Sequence, residues 1–461
     1  MKQDALHPLS IVILAAGKGK RMHSSIPKVL HLLGGKPLLR HVIDTALTLQ
    51  PSQPPLVVIG FQGHKIKTIL SDAPVTWIEQ KEQLGTGSAA QQTLPHIPDH
   101  NRVLILCGDV PLISSDTLIA LINNTPLHDI GMITSIFSDP SGFGRILRDD
   151  HQHITGIIEE KDASPTQRAI QEINAGIYLI PADFLKKELP RLTKHNAQKE
   201  FYLTDIIQVA TKEKMAVRGQ QPFYPIEIAG VNDRAQLSSL ERFYQYKIAE
   251  KLMQQGVAFY DPHRFDMRGE LIAGSDVTID INVIIEGCVT IGNHCKIGAN
   301  SILRNVTLGD HVIIEPFSII DGATIAEYVT IGPFARIRPG TDIASHAQIG
   351  NFSEIKNSRV GAYTKIHHVG YIGDSEIGEK TNIGAGTITC NYAGANNHQT
   401  TIGNDVFVGA HSTLVAPLTI GDHATIGAAS CLAHDAPADQ LTLSRAEQKT
   451  IKNWKRKKKQ A

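Results

Sequence analysis

The chain has 461 residues, which at about 150 residues per domain predicts roughly three structural units. Lysine and arginine together number 45, as do aspartate and glutamate, so the formal net charge is zero and no whole-protein attraction to nucleic acid is expected. No apolar run approaches the ~18 residues that span a bilayer. There is no signal-peptide pattern, and five cysteines without a CxxC pair argue against a disulfide framework. We therefore expect a globular, cytoplasmic protein with no membrane partner.

The first half of the chain alternates short apolar runs with helical patterns. The runs IVIL (11–14), LVVIGF (56–61) and RVLILCGDVPLI (102–113) read as buried strands. Between them, Leu38, Val42, Ile43 and Ala46 recur at helical spacing. This alternation predicts an α/β fold with a mostly parallel, Rossmann-like sheet, whose ligands bind beyond the carboxyl ends of the strands.

The segment LAAGKGKRM (14–22) follows the first strand and carries Gly17, Gly19 and Arg21, with Lys28 shortly after it. It contains neither the P-loop pattern nor the third glycine of the dinucleotide fingerprint. Glycines let backbone N–H groups approach phosphates, and the two cations can neutralise them. By itself the segment fits a phosphate-binding loop and an ordinary strand–helix turn with solvated bases equally well.

Two further segments fit a nucleotide site. QKEQLGTGSA offers the amide of Gln80, suited to the edge of a base, and a turn at Gly85 and Thr86. Asp109 follows Gly108 at the end of an apolar strand, where a carboxylate is a natural Mg²⁺ ligand. A lone aspartate at this position is equally often the N-cap of the next segment.

Residues 233–256 show a helical stripe of Leu237, Leu240, Tyr244, Ile248 and Leu252, which predicts a helix linking two domains. From about residue 265 the apolar residues recur at every sixth position. Two series show this spacing: Val277, Val283, Val289 and Cys295, and also Ile279, Ile285, Ile291, Ile297 and Leu303. A six-residue period cannot be an α-helix and predicts a parallel β-helix of roughly nine coils.

A solenoid by itself is most often a spacer or an assembly surface. The repeat is interrupted at CNYAGANNHQT (390–400), which predicts a loop on one face and favours a site there. Arg338 and Lys356 can stack at one corner of neighbouring coils, where a pair of cations suits a phosphate. The alternative is a solvated charged face.

The motifs LxxGxGxR, PK, QLGTG and a strand-ending GD resemble those of the sugar-1-phosphate nucleotidyltransferases. Together with the hexapeptide repeats, nearly the whole chain resembles the bacterial bifunctional N-acetylglucosamine-1-phosphate uridyltransferase / glucosamine-1-phosphate N-acetyltransferase family. The resemblance implies a left-handed β-helix and the biosynthesis of UDP-N-acetylglucosamine. It also implies catalytic roles for Arg21 and Lys28 and Mg²⁺ ligation by Asp109 and Asn232. The implied nucleotide–sugar residues are Leu14, Ala15, Ala16, Gly17, Lys28, Gln80, Gly85, Thr86, Cys107, Gly108, Asp109, Gly144, Glu159, Asn174 and Asn232.

For acetyl transfer the resemblance implies His368 as general base toward the amine of glucosamine 1-phosphate, with Glu354 holding its imidazole. Arg338, Lys356, Tyr371 and Asn382 would bind that substrate, and acetyl-CoA would contact Ala385, Asn391, Tyr392, Ala410, Ala428 and Arg445. The product, N-acetylglucosamine 1-phosphate, would then react with UTP. A homotrimer with its acetyl site between subunits is also implied. The sequence departs from the family pattern at Lys20, Cys107, Ile366–His367 and Ala410.

We therefore expect a uridyltransferase domain over 1–232, a linker helix over 233–256 and an acetyltransferase domain over 257–461. The basic tail (Lys455, Arg456, Lys457, Lys458 and Lys459) reads as solvated or as a screen for coenzyme A phosphates. One rival keeps only the first enzyme, with the β-helix as a structural or regulatory arm. Another is a scaffold without chemistry, which the N-terminal motifs disfavour.

Overall fold

A computed structural model of the chain describes residues 8–456, so the predicted tail residues Lys457, Lys458 and Lys459 lie outside the described residues. The chain divides into two compact units between Tyr244 and Gln245. None of the helices within residues 8–456 combines the length and the apolar composition that a membrane span requires.

The first unit contains strands β1 (Leu9–Ala15), β2 (Leu32–Leu33), β3 (Lys36–Pro37), β4 (Leu56–Ile59), β5 (Thr76–Glu79), β6 (Arg102–Cys107), β7 (Ile130–Ile136), β8 (Gly144–Arg148), β9 (Ile154–Ile158), β10 (Glu172–Pro181) and β11 (Val217–Gln220). Its α-helices are α1 (Leu38–Thr48), α2 (Gly63–Ile69), α3 (Thr86–Gln91), α4 (Ser115–Asn124), α5 (Pro165–Arg168), α6 (Ala182–Glu188) and α7 (Asp205–Lys212). Helix α8 (Arg234–Gln254) spans the division between the units.

The main sheet of the first unit has the order β11-β7-β10-β6-β1-β4-β5, and β8 and β9 extend it from β10. Strands β1, β4, β5 and β6 are mutually parallel, whereas β10 runs antiparallel to β6 and β7. The residues of β4 and the first five of β6 are buried, as expected of strands covered on both faces. The carboxyl ends of β1, β5 and β6 therefore meet at one edge, which is where the glycine-rich and Asp109 segments lie.

The second unit is a parallel coil of short strands, β12 (Ala258–Phe259), β13 (Phe265–Ala273), β14 (Thr278–Ile279), β15 (Val283–Ile291), β16 (Lys296–Ile297), β17 (Ile302–Arg304), β18 (Thr307–Leu308), β19 (Ile313–Ile314), β20 (Ile319–Asp321), β21 (Ala323–Ile325), β22 (Thr330–Ile331), β23 (Arg336–Ile337), β24 (Thr341–Ile343), β25 (Gln348–Lys356) and β26 (Arg359–Val360). It continues through β27 (Lys365–Gly373), β28 (Ser375–Ile377), β29 (Asn382–Ile383), β30 (Ile388–Cys390), β31 (Thr400–Ile402), β32 (Phe407–Val408), β33 (Thr413–Val415), β34 (Leu418–Ile420), β35 (Thr425–Ile426), β36 (Cys431–Leu432) and β37 (Leu441–Thr442).

The predicted six-residue beat is confirmed, because both series from residue 277 to 303 point inward with at most 2% of each residue exposed. Away from the two ends of the coil and from the inserted loop, strands pair in parallel with the strand one coil further on, at separations of 17 or 18 residues. Residues on the outer face of one coil therefore lie beside residues 17 or 18 positions away. This arrangement is the left-handed β-helix of hexapeptide repeats that was predicted.

Corners of the coil place non-glycine residues in the left-handed backbone conformation, among them Phe334, Phe352, Asn357 and Asp374. The expected interruption lies between β30 and β31, where the separation between paired coils rises to 25 residues. Most of residues 391–399 are exposed, with a single bridge between Tyr392 and Asn397. Beyond this loop Ile377 pairs with Ile402, so the inward beat resumes unchanged.

Neighbouring residues of β20 test what stabilises the coil. Ile320 is fully buried, whereas Ile319 is 40% exposed. We expect Ile320→Ala to lower the free energy of unfolding of the second unit by about 2–5 kcal/mol, because it removes apolar contacts and leaves a cavity. Denaturant unfolding of the full chain measures this, with Ile319→Ala as the matched control, expected to change it by about 0.5 kcal/mol or less. Equal losses in both variants would contradict an aliphatic interior as the main source of stability.

Candidate active sites

A cavity of about 510 Å³ opens at the carboxyl edge of the main sheet in the first unit. Its wall consists of residues from the ends of β1, β5 and β6, from the Gly85–Thr86 turn and from the segment after the glycine-rich loop: Leu14, Ala15, Ala16, Gly17, Lys18, Lys20, Lys28, Val29, Gln80, Gln83, Gly85, Thr86, Ala89, Cys107, Asp109 and Glu200. Most of the predicted nucleotide residues are therefore gathered around one space large enough for a small-molecule ligand.

Glycine is required at the turn that begins α3. Gly85 has a φ of +108°, and a Cβ at this position would lie 2.5 Å from the carbonyl oxygen of Phe201. The turn is bound to the Phe201 segment, because the Gly87 amide donates to the Phe201 carbonyl at 2.8 Å and the Leu203 amide donates to the Thr86 hydroxyl at 3.1 Å. One wall of the cavity is thus held by residues more than a hundred positions later in the chain, which sequence reasoning did not single out.

Lys28 and Asp109 of the cavity wall form a cluster with Asn232, which lies beside them but is not a wall residue. The Lys28 ammonium forms an ion pair with the Asp109 carboxylate and lies 3.4 Å from Asn232 Oδ1. Asn232 reaches this place because the preceding residue, Val231, donates its amide to the Asp109 carbonyl at 2.9 Å. Two residues 123 positions apart thereby present their oxygens to the same cation.

This cluster fits a divalent cation. The oxygens of Asp109 and Asn232 converge on one positive charge, and carboxylate and amide oxygens are the donors that Mg²⁺ prefers. Within residues 8–456 no group of three or more His, Cys, Asp or Glu side chains could hold a metal ion by itself. A Mg²⁺ ion here would therefore need oxygens from substrate phosphates and water, as is usual for this ion.

Arg21 is not at the cavity wall. It lies exposed on the 3₁₀ turn Lys20–Met22, in which Met22 takes the buried position and Lys20 faces the cavity. The wall cations in the described residues are Lys18, Lys20 and Lys28. Arg21 and Lys28 therefore do not lie together on the cavity wall, because a tight turn gives successive side chains different directions. The catalytic role of Arg21 stays a prediction.

Two other predicted residues differ in how they take part. Gly108 lies behind the wall, where its amide donates to the Leu14 carbonyl at 2.9 Å and a Cβ would meet Ala15 at 3.1 Å. Cys107 presents its side chain to the wall, and its Sγ lies 3.4 Å from the Gly176 carbonyl. Burial raises the pKa of this thiol to about 12, and the charge of Asp109 adds to the rise. Cys107 is therefore a neutral wall group rather than a nucleophile.

Gly144, Glu159 and Asn174 form a second cluster in the same unit. Gly144 pairs with Asn174 across β8 and β10, and a Cβ on Gly144 would lie 3.6 Å from the Glu159 carboxylate. Glu159 accepts a hydrogen bond from the Thr204 hydroxyl at 3.2 Å, and the Asn174 amide donates to the Tyr178 hydroxyl at 2.7 Å. Burial raises the pKa of Glu159, and the Thr204 hydrogen bond only partly opposes it.

In the second unit, the predicted cations lie on consecutive coils, Arg338 after the corner at Phe334 and Lys356 after the corner at Phe352. Arg338 forms an ion pair with Glu354 at 2.8 Å, and Lys356 lies 3.7 Å from Asp374. Tyr371 is aligned with Glu354 across β25 and β27. A Cβ on Gly373 would lie 2.5 Å from the Tyr371 hydroxyl, so the Tyr371 ring covers Gly373, the residue paired with Lys356.

His368 is exposed on β27, before the corner, and does not enter the aliphatic interior. Its Nδ1 lies 3.1 Å from Oδ1 of Asn351, its paired residue on β25. The expected partner Glu354 is bound to Arg338 instead, because it lies beyond the corner. Asn351 therefore replaces Glu354 as the residue that orients the imidazole, and cross-strand pairing at 17 residues was the signal that could have identified it.

The neighbouring His367 does not share this partner. Its Nε2 lies 2.8 Å from Gln348 Oε1, and its ring is 6.0 Å from that of His368 at an interplanar angle of 77°. Burial lowers the pKa of His367, and the nearby His368 and Lys365 lower it further. The two imidazoles are thus directed differently, as alternation along a strand predicts.

The predicted acetyl-CoA residues form two groups. Ala385, Ala410 and Ala428 follow one another up a corner of the coil, where the His411 amide donates to the Ala385 carbonyl at 2.7 Å and the Ala429 amide to the Ala410 carbonyl at 2.8 Å. Arg445 donates to the Ala428 carbonyl at 3.2 Å. Asn391 and Tyr392 begin the inserted loop instead.

Asn382, which was predicted to bind glucosamine 1-phosphate, lies on β29 and is aligned with Lys365 of β27.

Comparison with known proteins supports both halves. A model of the MobA-like NTP transferase domain matches residues 11–156. Models of the bacterial transferase hexapeptide (six repeats) and of the hexapeptide repeat of succinyl-transferase match residues 274–305 and 399–432. The fold and the two sites thus define a two-domain transferase, with a nucleotidyltransferase domain followed by a hexapeptide transferase domain.

Three relatives carry the name bifunctional protein GlmU. The protein from Idiomarina loihiensis is 47% identical over 97% of this chain and 98% of its own length. Those from Marinobacter nauticus and Cupriavidus pinatubonensis are 46% and 48% identical over 98% of this chain and 100% of theirs. The chain belongs to the GlmU family of bifunctional proteins, and it is a uridyltransferase and an acetyltransferase in one polypeptide. This confirms the family and the activities predicted from sequence. It also excludes the alternative in which the β-helix is only a structural or regulatory arm.

Proposed function

We propose that the second unit transfers the acetyl group of acetyl-CoA to the amine of glucosamine 1-phosphate, and that the first unit then joins the product to UTP. The observation that carries the assignment is that one chain contains two separate clusters of functional side chains, one in each unit. Lys28 and Asp109 line a nucleotide-sized cavity in one unit, with Asn232 beside Lys28, and His368 is exposed beside Asn351 in the other unit.

In the first unit, the segment Leu14–Gly17 and the residues Gln80, Gly85 and Thr86 bind the uridine nucleotide, with Gln80 directed to the base. Gly144, Glu159 and Asn174 bind the sugar of N-acetylglucosamine 1-phosphate. The phosphate oxygen of this substrate attacks the α-phosphorus of UTP in line, and pyrophosphate leaves. Both reactants are anions, so Lys28 lowers the barrier by offsetting their repulsion, and the walls fix the attack geometry.

Asp109 and Asn232 are the residues that would hold Mg²⁺ in this site. The bound ion would supply positive charge at the phosphates, which stabilises the charge that develops during transfer. The support for this assignment is the convergence of the two side-chain oxygens on the Lys28 ammonium. Arg21 acts, on this proposal, only if its turn reorients toward the phosphates.

In the second unit, His368 acts as general base. When Nδ1–H donates to Asn351 Oδ1, the neutral tautomer of the imidazole carries its free lone pair on Nε2. Nε2 then takes a proton from the amine as its nitrogen attacks the thioester carbonyl of acetyl-CoA, and the coenzyme A thiolate leaves. Arg338, Lys356, Tyr371 and Asn382 bind glucosamine 1-phosphate, with the two cations at its phosphate.

We assign the working assembly as a homotrimer with subunits completing each acetyl site. The corner at Phe352 separates His368 and Asn351 from Lys356 and Tyr371 within one chain. Phe317, Phe334 and Phe352 stack along that corner with 46–56% of each residue exposed. An apolar column of this kind beside a divided site suits burial against a second copy.

Asp109→Asn tests the metal cluster. We expect uridylyl transfer to fall by about 10²-fold or more, because the variant loses the charge that holds both Lys28 and Mg²⁺. Pyrophosphate release from UTP and N-acetylglucosamine 1-phosphate measures this, and thiol release from acetyl-CoA reports the other site, which should keep its rate. Asp116→Asn, an exposed carboxylate on α4, is the control. Unchanged uridylyl transfer in Asp109→Asn would remove Asp109 from the site.

Glu159 predicts a pH dependence. Its pKa is raised by burial, so the carboxylate that accepts sugar hydroxyls is lost at a higher pH than for an ordinary glutamate. We expect the KM for N-acetylglucosamine 1-phosphate to rise as pH falls through that pKa. In Glu159→Gln the KM should be high at all pH values and lack this transition, while titration of the substrate phosphate affects both proteins alike. Identical KM–pH curves would show that Glu159 does not contact the sugar.

His368→Ala tests the general base. Acetyl transfer should fall by about 10²- to 10⁴-fold with uridylyl transfer intact, because only the amine attack needs proton removal. His367→Ala is the matched control and should retain most of the activity. Asn351→Ala should lower kcat and shift the pH profile of acetyl transfer, because the imidazole loses its oriented tautomer. A larger effect for His367→Ala than for His368→Ala would reverse the assignment.

A further inference from the structure

Asp374 lies at the corner between β27 and β28, in the left-handed conformation with a φ of +47°. Only 11% of its side chain is exposed. It is not among the residues that the family resemblance assigns to either substrate. It nevertheless contacts one residue proposed for glucosamine 1-phosphate and one proposed for acetyl-CoA.

The carboxylate of Asp374 has three partners. Its Oδ1 accepts a hydrogen bond from Asn357 Nδ2 at 2.6 Å. Its Oδ2 accepts a hydrogen bond from Asn391 Nδ2 and lies 3.7 Å from the Lys356 ammonium. A single oxygen is therefore shared between the cation expected at the sugar phosphate and the amide expected at acetyl-CoA.

The backbone of Asp374 joins the same elements. Its amide donates to the Lys356 carbonyl at 3.0 Å, and its carbonyl accepts from the Thr400 amide at 3.2 Å. Asn391 is the first residue of the inserted loop and Thr400 begins the strand after it, so Asp374 holds both ends of the loop. Within the loop the His398 amide donates to the Asn391 carbonyl at 2.7 Å. Tyr392 is the next residue in the chain, so its position depends on these hydrogen bonds at the two ends of the loop.

The charge of Asp374 is compensated where it lies. Burial alone raises the pKa of this carboxyl, but the amides of Asn357 and Asn391 and the Lys356 ammonium outweigh burial and hold the pKa below its usual value. Hydrogen bonds to an ionised acceptor are stronger than those between neutral groups. Removing the charge would therefore loosen Lys356 and Asn391 together.

We infer that Asp374 is a positioning residue that couples the two substrate half-sites of acetyl transfer, through Lys356 on one side and the base of the inserted loop on the other. Ordering Lys356 with a bound sugar phosphate fixes Asp374, and this in turn fixes the loop that contacts acetyl-CoA. Because such coupling is reciprocal, acetyl-CoA favours the sugar phosphate to the same extent. The inference rests on the proposed roles of Lys356 and Asn391.

Asp374→Asn is the direct test, because it keeps the size of the side chain and removes the charge. We expect the KM values for glucosamine 1-phosphate and for acetyl-CoA both to rise about 5- to 50-fold. The kcat at saturation and the pH profile set by His368 should stay close to those of the parent. Uridylyl transfer on the same chain is an internal control and should not change. A rise in one KM only, or a loss confined to kcat, would overturn the inference.

Asn305→Ala is the matched control at a corresponding corner of earlier coils. Asn305 also has a left-handed backbone, at a φ of +51°, and its Oδ1 accepts from the Cys288 amide at 3.1 Å. A loss that reflects only coil stability should appear in this variant too. We expect Asn305→Ala to leave both KM values unchanged. Equal changes in the two variants would mean that Asp374 only stabilises the corner of the coil and does not couple the half-sites.

A second measurement avoids dependence on the folding of Asp374→Asn. If the half-sites are coupled, Lys356→Ala raises the KM for acetyl-CoA, and Asn391→Ala raises the KM for glucosamine 1-phosphate. If each variant raises only the KM of its own substrate, the coupling is absent. Failure of the proposed function is distinct from both results, because the parent protein would then release no thiol from acetyl-CoA in the presence of glucosamine 1-phosphate.

Discussion

The acetyltransferase unit depends on one constraint, the register in which each coil stacks on the last. An inward aliphatic residue at every sixth position fixes the register, since a slip by one residue would turn the buried side chains outward. Once the register is fixed, every outward residue gains neighbours 17 or 18 positions away. Asn351 with His368 and Lys356 with Asp374 are direct products of this rule, and Arg338 with Glu354, 16 positions apart, is a diagonal contact in the same register. The core therefore determines the site without contributing a side chain to it.

The uridyltransferase unit reaches a similar result by different means. Parallel strands end at one edge, which gathers the glycine-rich loop, Gln80 and Asp109 around the cavity. Asn232 is brought in by the hydrogen bond of Val231 to the backbone of Asp109. Three lysines, Lys18, Lys20 and Lys28, line this cavity, while the chain as a whole carries no net charge. Electrostatic function is thus a local property of strand ends and not of overall composition.

Sequence reasoning succeeded where a period or a strand end determined the outcome. The six-residue beat gave the buried residues of the coil, and the apolar run before Asp109 gave its place at the sheet edge. It failed where side-chain direction mattered. Arg21 and Lys20 are neighbours on one turn, yet only Lys20 faces the cavity. Glu354 was expected beside His368, but β25 bends at Phe352 and carries Glu354 to Arg338 on the next face. Asn351 and Asp374 act through partners a whole coil away, a distance at which no local pattern identifies them.

The inserted loop explains why these distant contacts matter. A flexible loop between fixed ends loses conformational entropy on ordering, and this cost is smaller when its ends are already held together. The coil supplies that closure, because Ile377 pairs with Ile402 and the corner residue Asp374 binds both Asn391 and Thr400. The core register below and above the loop is untouched, so the loop sequence is free to serve ligand contacts. A regular solenoid thus holds an irregular loop at a corner where a largely buried, charge-compensated carboxylate anchors both of the loop's ends.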